Sequence, residues 1–159
     1  MKYVWLVCAL AGLLTGCGVQ DTVETVADEP AAQVAAIPRE ISVQLPQEAA
    51  VPTLTGDSQQ IYLCDGYEII LENHVSGDLS RSIRAVSGFE REDLTVLQRT
   101  QGDAKRYEFV WASAGEEGER LGRAVILDDG SFHYCLSVLR DPGAEQTDWD
   151  ALFSSFCLT

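Results

Sequence analysis

The sequence predicts an α+β fold built mainly on antiparallel sheet, and three observations predict it. Ile61-Tyr62-Leu63-Cys64 and Tyr67 to Glu72 are apolar-rich alternating runs separated only by Asp65-Gly66. Four further runs, each linked to the next by a short polar segment, follow between Leu94 and Leu139. Trp149, Leu152, Phe153 and Phe156 then recur at i, i+3, i+4 and i+7, the spacing of an amphipathic helix.

Asp-Gly between two alternating runs favours a two-residue hairpin turn, because that turn needs positive φ. Leu79, Ile83 and Val86 then share one face of a short helix over 79 to 87. Asp78 is placed to accept from its first free amides, and Gly88 to supply the left-handed stop. Leu94 to Arg99 alternates, with Leu94 and Val96 on one face. Arg106 to Ala112 sets Tyr107, Phe109 and Trp111 against Glu108, Val110 and Ala112. Leu121 to Leu127 and Phe132 to Leu139 complete the sheet, joined through Asp128-Asp129-Gly130. Links this short favour antiparallel neighbours, since parallel strands need long crossovers. Thr147-Asp148-Trp149-Asp150 resembles a capping box for the last helix, with Asp in place of Glu or Gln. Each large apolar side chain of that helix contributes about 1.5–3 kcal/mol when buried, so the helix is expected to cover the sheet. The order hairpin, helix, four-strand meander, helix across residues 53 to 159 resembles the PsbP/Mog1-like sandwich. That resemblance implies a non-enzymatic accessory or adaptor role and carries over no site residue.

The N-terminus reads as an address. Lys2 precedes an apolar run from Val4 to Leu14, followed by Leu14-Thr15-Gly16-Cys17. The run is shorter than the roughly 20 apolar residues needed to cross a bilayer, and has the layout of a secretory leader. It resembles the signal peptide of bacterial lipoproteins, whose lipobox ends in cysteine. The resemblance implies cleavage after residue 16 and diacylglycerol on Cys17, with or without a further N-acyl chain such as palmitate. The expected location is the bacterial cell envelope, lipid-anchored to the membrane and facing outside the cytoplasm. Residues 17 to 52 then read as a lipidated, disordered tether. From Gly18 to Pro52 they hold four of the five prolines, six acids against one base, and no aromatic residue. The single folded domain is expected over 53 to 159.

The full chain of 159 residues carries a formal charge of −14, which becomes −15 when Lys2 leaves with the leader. An acidic chain of this kind excludes nucleic acid, which needs a basic footprint. Solubility and self-repulsion of an exported protein account for such a charge, and the alternative is a basic ligand or an envelope protein as partner. Cys64, Cys135 and Cys157 remain after the leader and the lipidated residue are set aside. Export permits one bridge among them, in any of three pairings, and three buried thiols fit equally well. No Cys-x-x-Cys or Cys–His spacing of a local metal cluster occurs.

Four residues stand out as binding candidates. His133, on a strand beside Asp128 and Asp129, has the residue types of a general base or a metal ligand with turn carboxylates. The plainer reading makes it a partly exposed histidine opposite an aromatic face, and makes the Asp-Asp-Gly a tight turn. Arg123 alternates with Leu121, Val125 and Leu127, so it is expected to pair with Glu108 or Glu68, or to bind an anion at the mouth of a cleft. His74 and the acidic loop Glu116, Glu117, Glu119 are weaker. No nucleophile motif or phosphate loop is present. The expected protein is a non-catalytic, lipid-anchored binding module with no cofactor. The alternative is an envelope enzyme or metal-binding protein using His133 with Asp128 or Asp129, or a free cysteine.

Overall fold

The computed structural model describes residues 36–115, 118–144 and 149–159. The expected leader, Cys17, the tether as far as residue 35, Glu116, Glu117 and the Thr147-Asp148 half of the capping box lie outside them.

Seven strands form one antiparallel sheet. In chain order they are β2 (Leu54–Thr55), β3 (Gln59–Cys64), β4 (Tyr67–Val75), β5 (Leu97–Gln101), β6 (Ala104–Gly115), β7 (Gly118–Asp128) and β8 (Phe132–Arg140). Their spatial order is β2-β3-β4-β8-β7-β6-β5. The hairpin forms as its Asp-Gly link predicts, with Cys64 opposite Tyr67 and Gly66 at φ +77°. A Cβ on Gly66 would come within 2.7 Å of Ala144 Cβ, so the turn has no room for a side chain.

The connection from β4 to β5 sets the layering. These strands lie four positions apart, with β8, β7 and β6 between them. The chain joins them through α1 (Leu79–Ser87), which together with 89–96 covers one face of the sheet. Asp78 Oδ1 accepts from the Ser80 amide at 3.0 Å, and Gly88 closes the helix at φ +79°. Ile83 is fully buried against Tyr107, Phe109, Trp111, Ala124, Ile126 and Cys135. Trp111 lies across Gly122, where a Cβ would come within 2.0 Å of its ring. Leu94 and Val96 belong to this covering segment, and the edge strand begins only at Leu97, later than their alternation suggests.

The opposite face holds Ile69, Leu71, Val125, Leu127, Phe132, Tyr134, Leu136 and Val138. It packs under α2 (Trp149–Ser155), whose Leu152 and Phe153, with Phe156 just beyond, are buried as their spacing predicts. Between the two covers, β8 is buried at every residue from Phe132 to Val138.

Residues 39 to 49 hold to this second face, which corrects the boundary expected at Thr53. β1 (Ile41–Ser42) pairs antiparallel with β9 (Cys157–Leu158). Ala49 is buried, Val43 and Leu45 pack on the core, and Tyr67 donates to Glu48 at 2.7 Å. The Gln44 amide donates to Ser155 Oγ at 2.8 Å, and the Arg39 amide to Tyr134 Oη at 2.8 Å. Composition marks this stretch as a tether, but Ile41, Val43 and Leu45 alternate and pack on the core, and the C-terminal strand pairs with Ile41 and Ser42.

The C-terminal elements are held by a buried cation. Arg106, on β6 and 1 % exposed, donates to Phe153 O at 2.8 Å, Phe156 O at 3.3 Å and Glu108 Oε1 at 2.6 Å. Gln101 donates to the same Phe156 carbonyl at 2.9 Å and accepts from Arg106 at 2.8 Å. Helix C-termini leave carbonyls without intrahelical partners, and a cation there also complements the helix dipole. Burial pushes the Glu108 carboxyl up, but the Arg106 hydrogen bond and the charges of Arg106, Arg99 and Arg123 outweigh it and hold the group below its ordinary range.

Limited proteolysis of the full chain should leave a resistant fragment that begins before Arg39, because nicking concentrates where the backbone is not held. A resistant fragment beginning near Thr53 would show instead that the 36–52 segment does not hold to the sheet.

Candidate functional site

Polar residues gather beneath α1, where β4 and β8 face it. Side chains two residues apart on a strand share a face, and residues directly opposite across a pair share it too. Glu72 and His74 therefore meet Cys135 and His133, their partners in register. Ser82 comes down from α1, Ser76 follows β4, and Asp128 ends β7 opposite His133.

His133 is 1 % exposed, which corrects the expectation of partial exposure. The β4–β5 crossover covers its face of the sheet, a long-range feature that strand alternation alone does not reveal. Its Nδ1 lies 2.7 Å from Ser82 Oγ, and its Nε2 3.2 Å from Ser76 Oγ. Ser82 Oγ also lies 2.8 Å from His74 Nε2, and Ser76 donates to Asp128 Oδ1 at 3.2 Å. Burial, opposed by the Asp128 charge, lowers the His133 pKa below its ordinary value. The ring is therefore neutral near pH 7 and carries one N–H.

The proton order follows from the inventory of donors. The Ser76 hydroxyl donates to Asp128 Oδ1. Ser76 Oγ then accepts from His133 Nε2–H, which leaves His133 Nδ1 to accept from Ser82. Ser82 Oγ in turn accepts from His74 Nε2–H. One directional chain thus runs from His74 to Asp128.

Asp129 takes no part in it. Its carboxylate accepts from the Ser131 and Phe132 amides at 2.8 and 2.7 Å and from Tyr134 Oη at 2.8 Å, on the other face of the sheet. The pairing of His133 with Asp129 is therefore corrected, while Asp128 Oδ1 stands 3.8 Å from His133 Nε2. Asp128 Oδ1 also accepts from the Gly130 amide at 2.9 Å, so the turn reading holds for both acids.

Arg123 stands on the α2 face, beside an apolar groove of about 540 Å³ lined by Val110, Leu121, Trp149 and Phe153. It pairs with Asp150 at 2.6 Å and Glu108 at 3.8 Å, and its guanidinium carbon lies 4.4 Å from the Phe153 ring centre. The Glu108 pairing is as expected. Two carboxylates and a ring face already engage the guanidinium, which removes the case for an anion site.

Cys64, Cys135 and Cys157 are free thiols. Glu72, His74 and Cys135 each offer one ligand atom, and the three atoms lie within 4.8 Å of one another. Sequence reasoning passes over this cluster. Its trace is two pairs at i, i+2, Glu72-x-His74 and His133-x-Cys135, but only strand register brings them together.

Neither a family model nor a curated protein matches the chain. A crystal structure of a protein from Bacteroides thetaiotaomicron VPI-5482 is similar in fold, with a TM-score of 0.52 at 7% sequence identity. The match covers 75% of this chain and 45% of that one, so this chain spans less than half of its length.

His133 should leave a signature in stability against pH. Its folded pKa is depressed, so the unfolded chain takes up a proton first as pH falls through about 6.5, and stability drops. Carboxylates titrate lower, which isolates the window from about pH 6.5 to 5. Urea unfolding at several pH values should show this decline in the parent and a flatter one in His133→Asn. Equal slopes would mean that His133 titrates alike in both states.

Proposed function

We propose that this chain is a bacterial lipoprotein, anchored outside the cytoplasm through Cys17, which presents the α+β domain as a binding or accessory module. The observation that carries the reading is Leu14-Thr15-Gly16-Cys17 behind the apolar run. The position of the domain agrees with it. The first backbone group held by the domain is the Arg39 amide, and β1 begins at Ile41, which leaves residues 18 to 38 between Cys17 and the packed chain. Among the described residues no helix is long and apolar enough to cross a membrane.

The mechanism is confinement. Holding the module near the membrane raises its effective concentration for envelope partners. The formal charge of −15 after loss of Lys2 favours basic or metal-bearing partners, with association that weakens as salt rises. The sheet covered on both faces supports a PsbP-like sandwich as the fold type, a class suited to recognition.

Lipid anchoring contributes about 0.8 kcal/mol per buried methylene, and two chains hold a protein stably on a membrane. In the bacterium that makes it, the parent should label with palmitate, fractionate with membranes and lose its leader. Cys17→Ser should remove labelling, processing and retention together. Unchanged processing and retention in Cys17→Ser would overturn the proposal.

A further inference from the structure

We propose that Glu72, His74 and Cys135 form a binding site for a zinc-like divalent cation, with three protein ligands and a fourth position open. This site is separate from the sequence-level pairing of His133 with the turn acids, and it does not depend on lipid anchoring.

The ligand types suit the ion. Thiolate, imidazole and carboxylate are the donors of zinc, and three of them with one open position make an exchangeable rather than a closed structural site. Zn–S near 2.3 Å and Zn–N near 2.0 Å place tetrahedral ligand atoms roughly 3.3–3.8 Å apart. The three atoms here lie within 4.8 Å of one another, so side-chain rotations of about 1 Å close the set. They stand on adjacent strands, Glu72 directly opposite Cys135, which makes the frame rigid.

The surroundings complete the site. His74 Nε2 is engaged by Ser82 Oγ at 2.8 Å, so a metal would take the other ring nitrogen, Nδ1. Such an outer hydrogen bond orients metal-bound histidines, and here it continues through His133 and Ser76 to Asp128. Glu72 is held by Gln59 Nε2 at 3.2 Å. Cys135 is 1 % exposed, whereas Glu72 and His74 are half-buried and give the ion its path.

Charge decides the energetics. Without metal, a carboxylate stands beside a buried thiol, and burial followed by the Glu72 charge raises the thiol pKa well above its ordinary value. On binding, the S–H bond breaks, the proton leaves to solvent and the sulfur lone pair bonds the cation. A divalent ion with one carboxylate and one thiolate has zero net charge, which lowers the cost of burying it. The released proton makes affinity rise with pH.

The test is Co²⁺ titration of the full-length chain, reduced and metal-free. The expected result is one equivalent bound, near-ultraviolet absorption from thiolate-to-cobalt charge transfer, displacement by Zn²⁺, and weaker binding at lower pH. Cys135→Ser should abolish the thiolate band, while Cys64→Ser and Cys157→Ser keep it. Glu72→Gln and His74→Ala should each weaken binding by more than about 100-fold, the upper end of the loss from an outer-shell change. These two half-buried positions keep the test decisive if Cys135→Ser disturbs the core. No cobalt–thiolate band in the parent, a band that survives in Cys135→Ser, or unchanged affinity in both Glu72→Gln and His74→Ala would overturn the assignment.

Discussion

The guanidinium of Arg106 is the constraint through which the C-terminal third of the fold is organised. It is buried on the α2 face of β6 and reaches the carbonyls of Phe153 and Phe156 while pairing with Glu108. An isolated buried charge is costly, and it is tolerated only when every donor is met. Here the carbonyls that α2 leaves open and a carboxylate two residues along the strand meet them. Phe156 leads directly into β9, β9 pairs with β1, and the Thr159 amide donates to Glu40 O at 3.0 Å. Arg39 completes the circuit through Asp103 at 2.9 Å on the β5–β6 turn. The docking of the N-terminal segment therefore rests on a helix end that one arginine fixes to the sheet.

The same layering explains the polar cluster on the opposite face. Antiparallel sheets often leave one face to water, and strands then alternate apolar and polar residues. β8 alternates in that way, with His133, Cys135 and Ser137 between its apolar side chains, yet all three are buried. The crossover from β4 to β5 carries α1 over that face, so the polar positions must find partners inside. His133 does so through Ser82 from the helix and Ser76 beyond β4. Burial without loss of hydrogen bonding yields a rigid group of histidines, hydroxyls, a carboxylate and a thiol, which supports a cation site as readily as a structural network.

Local features of this fold are legible in its sequence, and non-local ones are not. The Asp65-Gly66 hairpin, α1 with Asp78 and Gly88, and the Trp149, Leu152, Phe153, Phe156 stripe each depend on residues a few positions apart. They appear where spacing places them. The docking of residues 39 to 49 is only half visible, because Ile41, Val43 and Leu45 alternate as an edge strand would, whereas the partner of Ile41 is Leu158, across nearly the whole domain. The burial of His133 is hidden for a related reason, since it depends on where the β4–β5 connection runs. Arg123 is legible as a charge needing Glu108, whereas the deeper Arg106 is masked at the start of a run whose aromatic residues draw attention to the other face. Of the candidate site, the residue types are visible, but Glu72 meets Cys135 only through strand register.

Native-state amide exchange on Arg106→Met measures this dependence directly. Methionine fills much of the volume but leaves the Phe153 and Phe156 carbonyls and Glu108 without their donor. Removing one partner of a buried pair costs about 3–5 kcal/mol. The predicted result is a loss of protection of that order in α2, β9 and β1, with the amides of α1 and the centre of the sheet less affected. Parent-like protection across α2, β9 and β1 in Arg106→Met would contradict the central place of Arg106 in the fold.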